Sequence, residues 1–170
     1  RPRYGCMTTM TSRADTRHIS RRDWLLLVVF LVVVVGVSSA IGIFNVPGEW
    51  YESLNKPPFT PPNWLFGPVW TTLYILIAIA GWRTFRAGAN TVPMRFWYMQ
   101  MVLNWLWSPT WFTLHWTWPA FAVIVLIFAA IIGFILTSWR RDRLSALLFV
   151  PYALWVGFAS VLNFAVAVLN

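Results

Sequence analysis

Long apolar segments alternate with short polar connections along this chain of 170 residues. Five such segments stand out, over about residues 24–44, 64–82, 96–114, 119–139 and 147–169. Each is close to the roughly 20 residues with which an α-helix crosses about 30 Å of hydrocarbon. Lipid offers no partners to backbone polar groups, and the segments lack the polar–apolar alternation of membrane barrel strands. The pattern therefore predicts an all-α membrane protein, with residues 23–170 forming a five-transmembrane-helix bundle.

The residues before the first segment, 1–22, are polar and basic and show no apolar period, which predicts a disordered tail. The sequence starts at Arg1, while Met7 or Met10 could be the true start, so we expect an over-extended or trimmed N-terminus. A cleaved signal peptide is the alternative, because basic residues precede an apolar run. The run over 24–44 is long enough to span and has no clear small-residue cleavage site, which favours a retained helix.

The first connection, residues 45–63, is the longest and is rich in proline. Proline cannot continue a helix and restricts the residue before it, so we expect an extended and stiff loop. Its apolar side chains need a surface on which to pack. The loop should therefore fold over one mouth of the bundle.

Composition and charge agree with a membrane protein. Hydrophobic residues make up 59% of the chain and charged residues 11%, whereas about a quarter of a soluble domain is charged. The net charge of +8 comes from arginines in the tail, the second connection and the fourth connection. This distribution orients membrane proteins and argues against a nucleic-acid partner. It predicts a cytoplasmic N-terminus and a C-terminus on the outer side.

Conventional catalytic chemistry is missing from the sequence. The single cysteine excludes a disulfide framework, and the two histidines, His18 and His115, lie far apart. We therefore expect no metal site and no required cofactor. The spans carry essentially no ionisable residue away from their ends, although ion-coupled transporters need such groups near the midplane. Whether the protein is an enzyme stays open at this point.

Polar and aromatic residues share helix faces in three of the spans. The faces follow helical spacing and consist of Trp70 and Tyr74, then Gln100, Asn104, Trp107 and Trp111, then Tyr152, Trp155, Ala159 and Leu162, with Asn163 beside them. Unpaired amides are costly in hydrocarbon, so these faces should point inward. Two interpretations remain open here. The faces line a ligand cavity, or the amides join helices and the aromatic rings fill the interior.

Other residues in the spans have ordinary explanations. Tryptophans near helix ends are typical of the membrane interface, and we assign Trp64, Trp82, Trp97, Trp116, Trp118 and Trp139 mostly to that role. The small residues Gly36, Ser39, Ala40 and Gly42 predict close packing of the first helix.

Several stretches together resemble one family. They are residues 47–57, 61–64 and 67–74, then Gln100-x3-Asn104-x2-Trp107-x-Pro109, then Pro151-Tyr152-x2-Trp155-x3-Ala159-x2-Leu162-Asn163. In this order they are similar to the TspO/MBR family, the translocator or tryptophan-rich sensory proteins. The resemblance covers about residues 24–170. It implies a five-helix bundle, usually a homodimer, with an internal ligand cavity capped by the first loop.

The resemblance also implies a function. It indicates an integral membrane binding and sensory protein for tetrapyrroles such as protoporphyrin IX, with porphyrin as a ligand. A light-dependent porphyrin-degrading enzyme and a transporter of porphyrins or lipids are the alternatives. Trp70 and Trp155 match the tryptophans linked to porphyrin breakdown, which makes them the candidate catalytic residues. The predicted ligand-binding residues are Trp50, Tyr51, Trp70, Tyr74, Gln100, Asn104, Trp107, Trp111, Tyr152, Trp155, Ala159 and Leu162.

One departure from the family bears on the ligand. The sterol motif of animal members needs a tyrosine followed by a basic residue, whereas this chain has Phe164 and no basic residue after it. We therefore expect a bacterial member in the cell membrane, with the outer membrane as the alternative. A tetrapyrrole fits better than a sterol, and Lys56 or arginines near the mouth are candidates to meet its propionates.

Overall fold

A computed structural model of the chain describes residues 20–170, and all the regular secondary structure in that range is helical. Residues 1–19, most of the predicted tail, lie outside the described part. Four helical stretches are long and apolar enough to cross a membrane, namely Arg21–Phe44, Asn63–Ala87, Thr117–Ser138 and Arg143–Leu169. The chain is thus an all-α, multi-pass integral membrane protein.

The first stretch contains helix α1 (Arg21–Leu31), a π-helical turn (Val32–Gly36) and helix α2 (Val37–Phe44). It starts three residues before the predicted position because Ser20 and Asp23 form a capping box. The Ser20 side chain accepts from the Asp23 amide at 3.2 Å, and the Asp23 carboxylate accepts from the Ser20 amide at 2.9 Å. Polar residues are therefore part of this helix, although hydropathy alone excludes them.

The sequence predicts that the first connection is extended over its whole length, but the structure shows that part of it is helical. Its residues Glu49–Ser53 form a short helix, α3, and the proline-rich part after it is non-helical. Helix α4 (Asn63–Ala87) then continues five residues past the predicted end at 82. It stops at Gly88, whose φ of +146° is a conformation that glycine adopts readily and other residues avoid.

The remaining helices are α5 (Val92–Phe112), α6 (Thr117–Ser138), α7 (Arg143–Leu148) and α8 (Val150–Leu169). The last predicted segment began at 147, but the Asp142 side chain caps α7 and the helical stretch begins there. Helix α5 is 21 residues long. It is less apolar than the four spanning stretches because it carries Arg95, Gln100 and Asn104.

One half of the bundle is closely packed, and we call it the closed half. It comprises the C-terminal parts of α4 and α6, the N-terminal part of α5, and α7. A Cβ atom on Gly81 would lie 2.4 Å from the Trp97 ring, and one on Gly133 would lie 2.5 Å from the Phe96 ring. Two tight ring-on-glycine contacts between α4, α5 and α6 thus close this half.

The structure corrects the assignment of two tryptophans and, among the described residues, shows no close packing at two glycines of the first stretch. Trp82 and Trp97 are buried rather than interfacial, and their indole nitrogens donate to Asp23 O at 2.8 Å and Ile77 O at 2.9 Å. Gly36 and Gly42 have open space where a Cβ would stand, so within residues 20–170 they mark no close helix contact. Hydropathy does not distinguish a tryptophan with an internal acceptor from one at the membrane surface.

Candidate functional site

The other half of the bundle, which we call the hollow half, encloses a cavity of about 440 Å³. The cavity lies between α2, the first loop, α4, α5 and α8. Its volume falls in the range of about 300–1,000 Å³ that is common for small-molecule sites. Within the described chain, its lining contains no aspartate, glutamate, lysine, arginine or histidine. The site is therefore suited to an uncharged apolar body.

Aromatic side chains supply nine of the 27 residues that line the cavity. Trp70 and Tyr74 stack with ring centroids 5.3 Å apart, and Trp107 and Trp111 stack at 6.1 Å. The Trp107 indole nitrogen donates to the Asn163 side chain at 3.3 Å, which fixes the ring against α8. The two rings of each pair stand four residues apart on one helix, and this one-turn spacing brings them into stacking contact beside the cavity.

A chain of hydrogen bonds lies beside the cavity and joins α4, α5 and α8. The Tyr74 hydroxyl donates to Asn104 Oδ1 at 3.2 Å, and Asn104 Nδ2 donates to the Tyr152 hydroxyl at 2.9 Å. The Tyr152 hydroxyl donates to Gln100 Oε1 at 3.0 Å, and Gln100 Nε2 donates to Trp97 O at 2.9 Å. The amides are therefore satisfied within the protein. This agrees with the interpretation in which the amides join helices.

Trp155 differs from the other wall residues. It lines the cavity and also an outer apolar groove between α4 and α8. Its neighbours Phe66 and Phe158 lie with ring centroids 5.8 Å away on either side. The indole nitrogen of Trp155 is buried and has no hydrogen-bond partner within residues 20–170. The Trp155 side chain thus borders both the cavity and the outer groove, and its N–H is unsatisfied.

The first loop covers the hollow half through ring contacts and amide hydrogen bonds. Trp50 stacks on His115 with centroids 4.2 Å apart, and Tyr51 meets Phe112 edge-on at 5.6 Å. The Asn170 side chain accepts from the Asn55 amide at 2.9 Å and donates to Asn55 O at 3.1 Å. Burial raises the pKa of the Tyr51 hydroxyl, so this hydroxyl stays neutral at physiological pH.

The closed half ends in two ion pairs instead. Arg86 contacts the Asp23 carboxylate at 2.9 Å, and Arg83 makes two hydrogen bonds to the Asp142 carboxylate at 2.9 and 3.0 Å. Partial burial of the Asp142 carboxyl acts to raise its pKa. Hydrogen bonds from Arg83 and Ser145 outweigh that effect and hold the pKa below its ordinary value.

The predicted ligand-binding residues divide into two groups. Those that line the cavity are Tyr51, Trp70, Tyr74, Asn104, Trp107, Trp111, Trp155, Ala159 and Leu162. Gln100 and Tyr152 lie behind the wall with no exposed surface, and Trp50 packs on His115 outside it. Gln100 shares a helix face with Asn104 but lies one turn deeper in the bundle, where α8 covers it.

Some lining residues were not predicted. They are mainly Phe66, Trp105, Phe112 and the α2 residues Ser38, Ser39 and Gly42. Trp105 Nε1 donates to Ser38 Oγ at 3.0 Å, so an α5 tryptophan and a first-helix serine complete the wall together. No period in the first helix marks Ser38 as inward. The only signal was the presence of small polar residues in an otherwise aliphatic run.

Comparison with known proteins gives a consistent picture. The sequence model described as the TspO/MBR family matches residues 27–169. The protein CrtK of Rhodobacter capsulatus is 39% identical over 142 residues, which are 81% of this chain and 89% of that protein. A tryptophan-rich sensory protein of Cereibacter sphaeroides is 33% identical over 148 residues, 87% of this chain and 93% of the relative. The human translocator protein is 32% identical over 134 residues, 74% of this chain and 79% of the relative.

Proposed function

The chain belongs to the TspO/MBR family, and we propose that it is a membrane-embedded binding and sensory protein for tetrapyrroles and similar flat hydrophobic molecules. The observation that supports this proposal is the uncharged cavity of about 440 Å³ with stacked aromatic walls. A tetrapyrrole is a flat π-system, and aromatic side chains favour stacked or edge-on contact with such a ring. Protoporphyrin IX is the proposed representative ligand.

The wall offers few but defined polar groups. Asn104 and Asn163 each line the cavity and are already held by neighbours, at Tyr152 and Trp107. Such prearranged groups orient a ligand at a low entropy cost, because they do not have to be ordered on binding. The indole N–H of Trp155 has no partner within the described chain. A ligand with a hydrogen-bond acceptor near Trp155 would satisfy this N–H after a small movement of the indole ring.

Titration of the purified protein with protoporphyrin IX tests the proposal. We expect saturable quenching of tryptophan fluorescence with one ligand per chain, and an affinity about tenfold or more weaker when Trp70 and Trp155 are both replaced by phenylalanine. Trp139→Phe is the matched control, since Trp139 is exposed at the far end of the bundle. Quenching that does not saturate, or an unchanged affinity in the double variant, contradicts a specific pocket.

Light-dependent porphyrin breakdown is the second candidate function. It is favoured by one observation, namely that the indoles of Trp70 and Trp155 both belong to the cavity wall. Indole is the most readily oxidised side chain that the wall contains. Under illumination in air, bound porphyrin should bleach faster with the wild-type protein than with Trp155→Phe at equal occupancy. Equal bleaching rates would leave binding as the function.

We also propose that α5 is a fifth transmembrane helix, as the family resemblance implies. Its 21 residues extend about 31 Å, the thickness of the hydrocarbon core. Gln100 and Asn104 are paired inside the bundle, which removes most of their cost in lipid. The cytoplasmic N-terminus and the homodimer are proposed on the arginine distribution and the resemblance alone. Cysteine accessibility from each side and cross-linking in membranes test them.

A further inference from the structure

Charged residues are distributed unequally between the two ends of the bundle. Within residues 20–170, the closed end holds Arg21, Arg22, Asp23, Arg83, Arg86, Arg95, Arg140, Arg141, Asp142 and Arg143. The first loop, at the cavity end, holds Glu49, Glu52 and Lys56. The arginines among residues 20–170 therefore lie at the end opposite the cavity, where they cannot meet the carboxylates of a ligand. In the described chain, Lys56 is the one cation at the cavity end.

Lys56 does not line the cavity itself, but it contacts a residue that does. Its ammonium lies 4.3 Å from the centroid of the Tyr51 ring, and Tyr51 lines the cavity. The residue before it, Asn55, is fixed through both backbone polar groups by the Asn170 side chain. The residue after it is Pro57, whose ring restricts the backbone of Lys56. The backbone on both sides of Lys56 is thus restrained, and the contact with the Tyr51 ring places the ammonium beside the cavity wall.

The charge of Lys56 is not neutralised by the protein. Within the described chain, no carboxylate lies within ion-pair distance of its ammonium, although Glu49 and Glu52 belong to the same loop. The side chain is half-buried, so part of its hydration is already lost. A cation–π contact compensates only in part, since it contributes about 0.5–1 kcal/mol at exposed sites. An incoming anion would complete the pairing.

We propose that Lys56 is the specificity-determining residue of the cavity and selects ligands with one carboxylate at the edge of a flat apolar body. This inference rests on the proposed binding function. The body occupies the uncharged cavity, and the carboxylate pairs with the ammonium beside Tyr51. A second carboxylate gains nothing, because the wall holds no further cation and the loop's other charges are negative. A dicarboxylic porphyrin therefore binds as if it carried a single anion.

A series of ligands that differ only in charge tests the inference. The probes are protoporphyrin IX, its monomethyl ester and its dimethyl ester, titrated against wild type, Lys56→Gln and Lys56→Arg. For wild type we expect the diacid and the monoester to bind equally within about twofold, and the diester about tenfold more weakly, the usual value of a charge-assisted hydrogen bond. In Lys56→Gln all three should bind like the diester, and Lys56→Arg should restore the preference.

Arg95→Gln is the matched control, since it removes a cation from the closed end, and its affinities should equal those of wild type. The diester affinity shows whether each variant is folded, because it does not depend on charge. An unchanged diacid affinity in Lys56→Gln overturns the inference alone. So does an equal loss for diacid and diester, which would assign Lys56 a packing role under Tyr51. Failure of all three probes to saturate wild type overturns the binding function and the inference together.

Discussion

The closed and hollow halves of the bundle use the same helices in opposite ways. In the closed half, Gly81 of α4 provides the space into which the Trp97 ring of α5 packs. In the hollow half, Gly67 of the same helix borders empty space. There the aromatic rings stack on neighbours from their own helix instead of filling the gap between helices. The cavity thus results from where the large rings point and not from a shortage of large residues.

The two ends are also fastened differently. The closed end has two ion pairs and a capping box, whereas the hollow end is covered by ring stacking and by amide hydrogen bonds to Asn170. Ring contacts and amide hydrogen bonds at an end of the bundle are individually weak, so they can open without unfolding the bundle. A ligand can enter a cavity only if one end of the bundle opens. The closed half can supply the stability of the whole bundle while the hollow end opens.

The largest expected effect comes from comparing two glycines of α4. Gly81→Ala would place a methyl group 2.4 Å from a ring that is itself fixed by the Trp97–Ile77 hydrogen bond. We expect the free energy of unfolding to fall by about 2–4 kcal/mol, from overpacking and the lost bond. Gly67→Ala should leave it unchanged or raise it by up to about 1 kcal/mol, because alanine favours the helix.

Both variants are measured by thermal and denaturant unfolding in the same detergent. Gly67→Ala is the matched control for helix propensity, since it makes the same change on the same helix where nothing lies within 4 Å of the added group. If the two variants were equally stable, the contrast between a packed and a hollow half would be wrong.

An intermediate effect is expected from Asp142, which pairs with Arg83 at the closed end. Its folded pKa is lowered, so the pairing contributes fully above the ordinary carboxyl value of 3.8 and is lost as pH falls through the lower folded value. Asp142→Asn should cost about 1–2 kcal/mol at neutral pH, because Arg83 loses a partly buried charged partner. The variant should also lose less stability than wild type between pH 5 and the acid limit, as measured by melting temperature against pH.

Glu52→Gln serves as the control for this titration. Glu52 is an exposed carboxylate of the first loop, and within residues 20–170 it takes part in no ion pair. Removing the Glu52 carboxylate should not change how the melting temperature falls at acidic pH. If the melting temperature of Asp142→Asn fell at acidic pH as much as that of wild type, the acid sensitivity would come from other groups.

The smallest effect on stability is expected at the hollow end. Asn170→Ala removes two hydrogen bonds to the Asn55 backbone, and both groups are exposed, so the cost should stay below about 1 kcal/mol. Ligand dissociation should nevertheless become faster by about two- to fivefold, because the first loop opens more often. Stopped-flow release of porphyrin measures this rate. Asn170→Asp keeps the acceptor oxygen and should be intermediate, whereas unchanged release in both variants would separate the loop from ligand exchange.

Parts of the fold followed directly from the residues. Apolar length predicted five spans, and four of them correspond to stretches that are long and apolar enough to cross a membrane. Helical spacing predicted that Asn104, Trp107 and Trp111 face inward, which their burial or position in the cavity wall bears out. The helix ends were less accurate because caps such as Ser20 and Asp142 act through side-chain geometry that hydropathy ignores. Helix α3 was missed because prolines on both sides suggested an extended loop throughout.

What the sequence determined by itself was therefore the environment and the family. Long apolar runs are stable only in lipid, and the ordered motifs from residue 47 to Asn163 occur together in one family. Only the tertiary structure decided which inward residues border space. Gln100 and Asn104 are equivalent by spacing, yet one is buried behind Tyr152 and the other faces the cavity. Periodicity specifies a direction around one helix axis, whereas a cavity depends on how far the neighbouring helices approach that face.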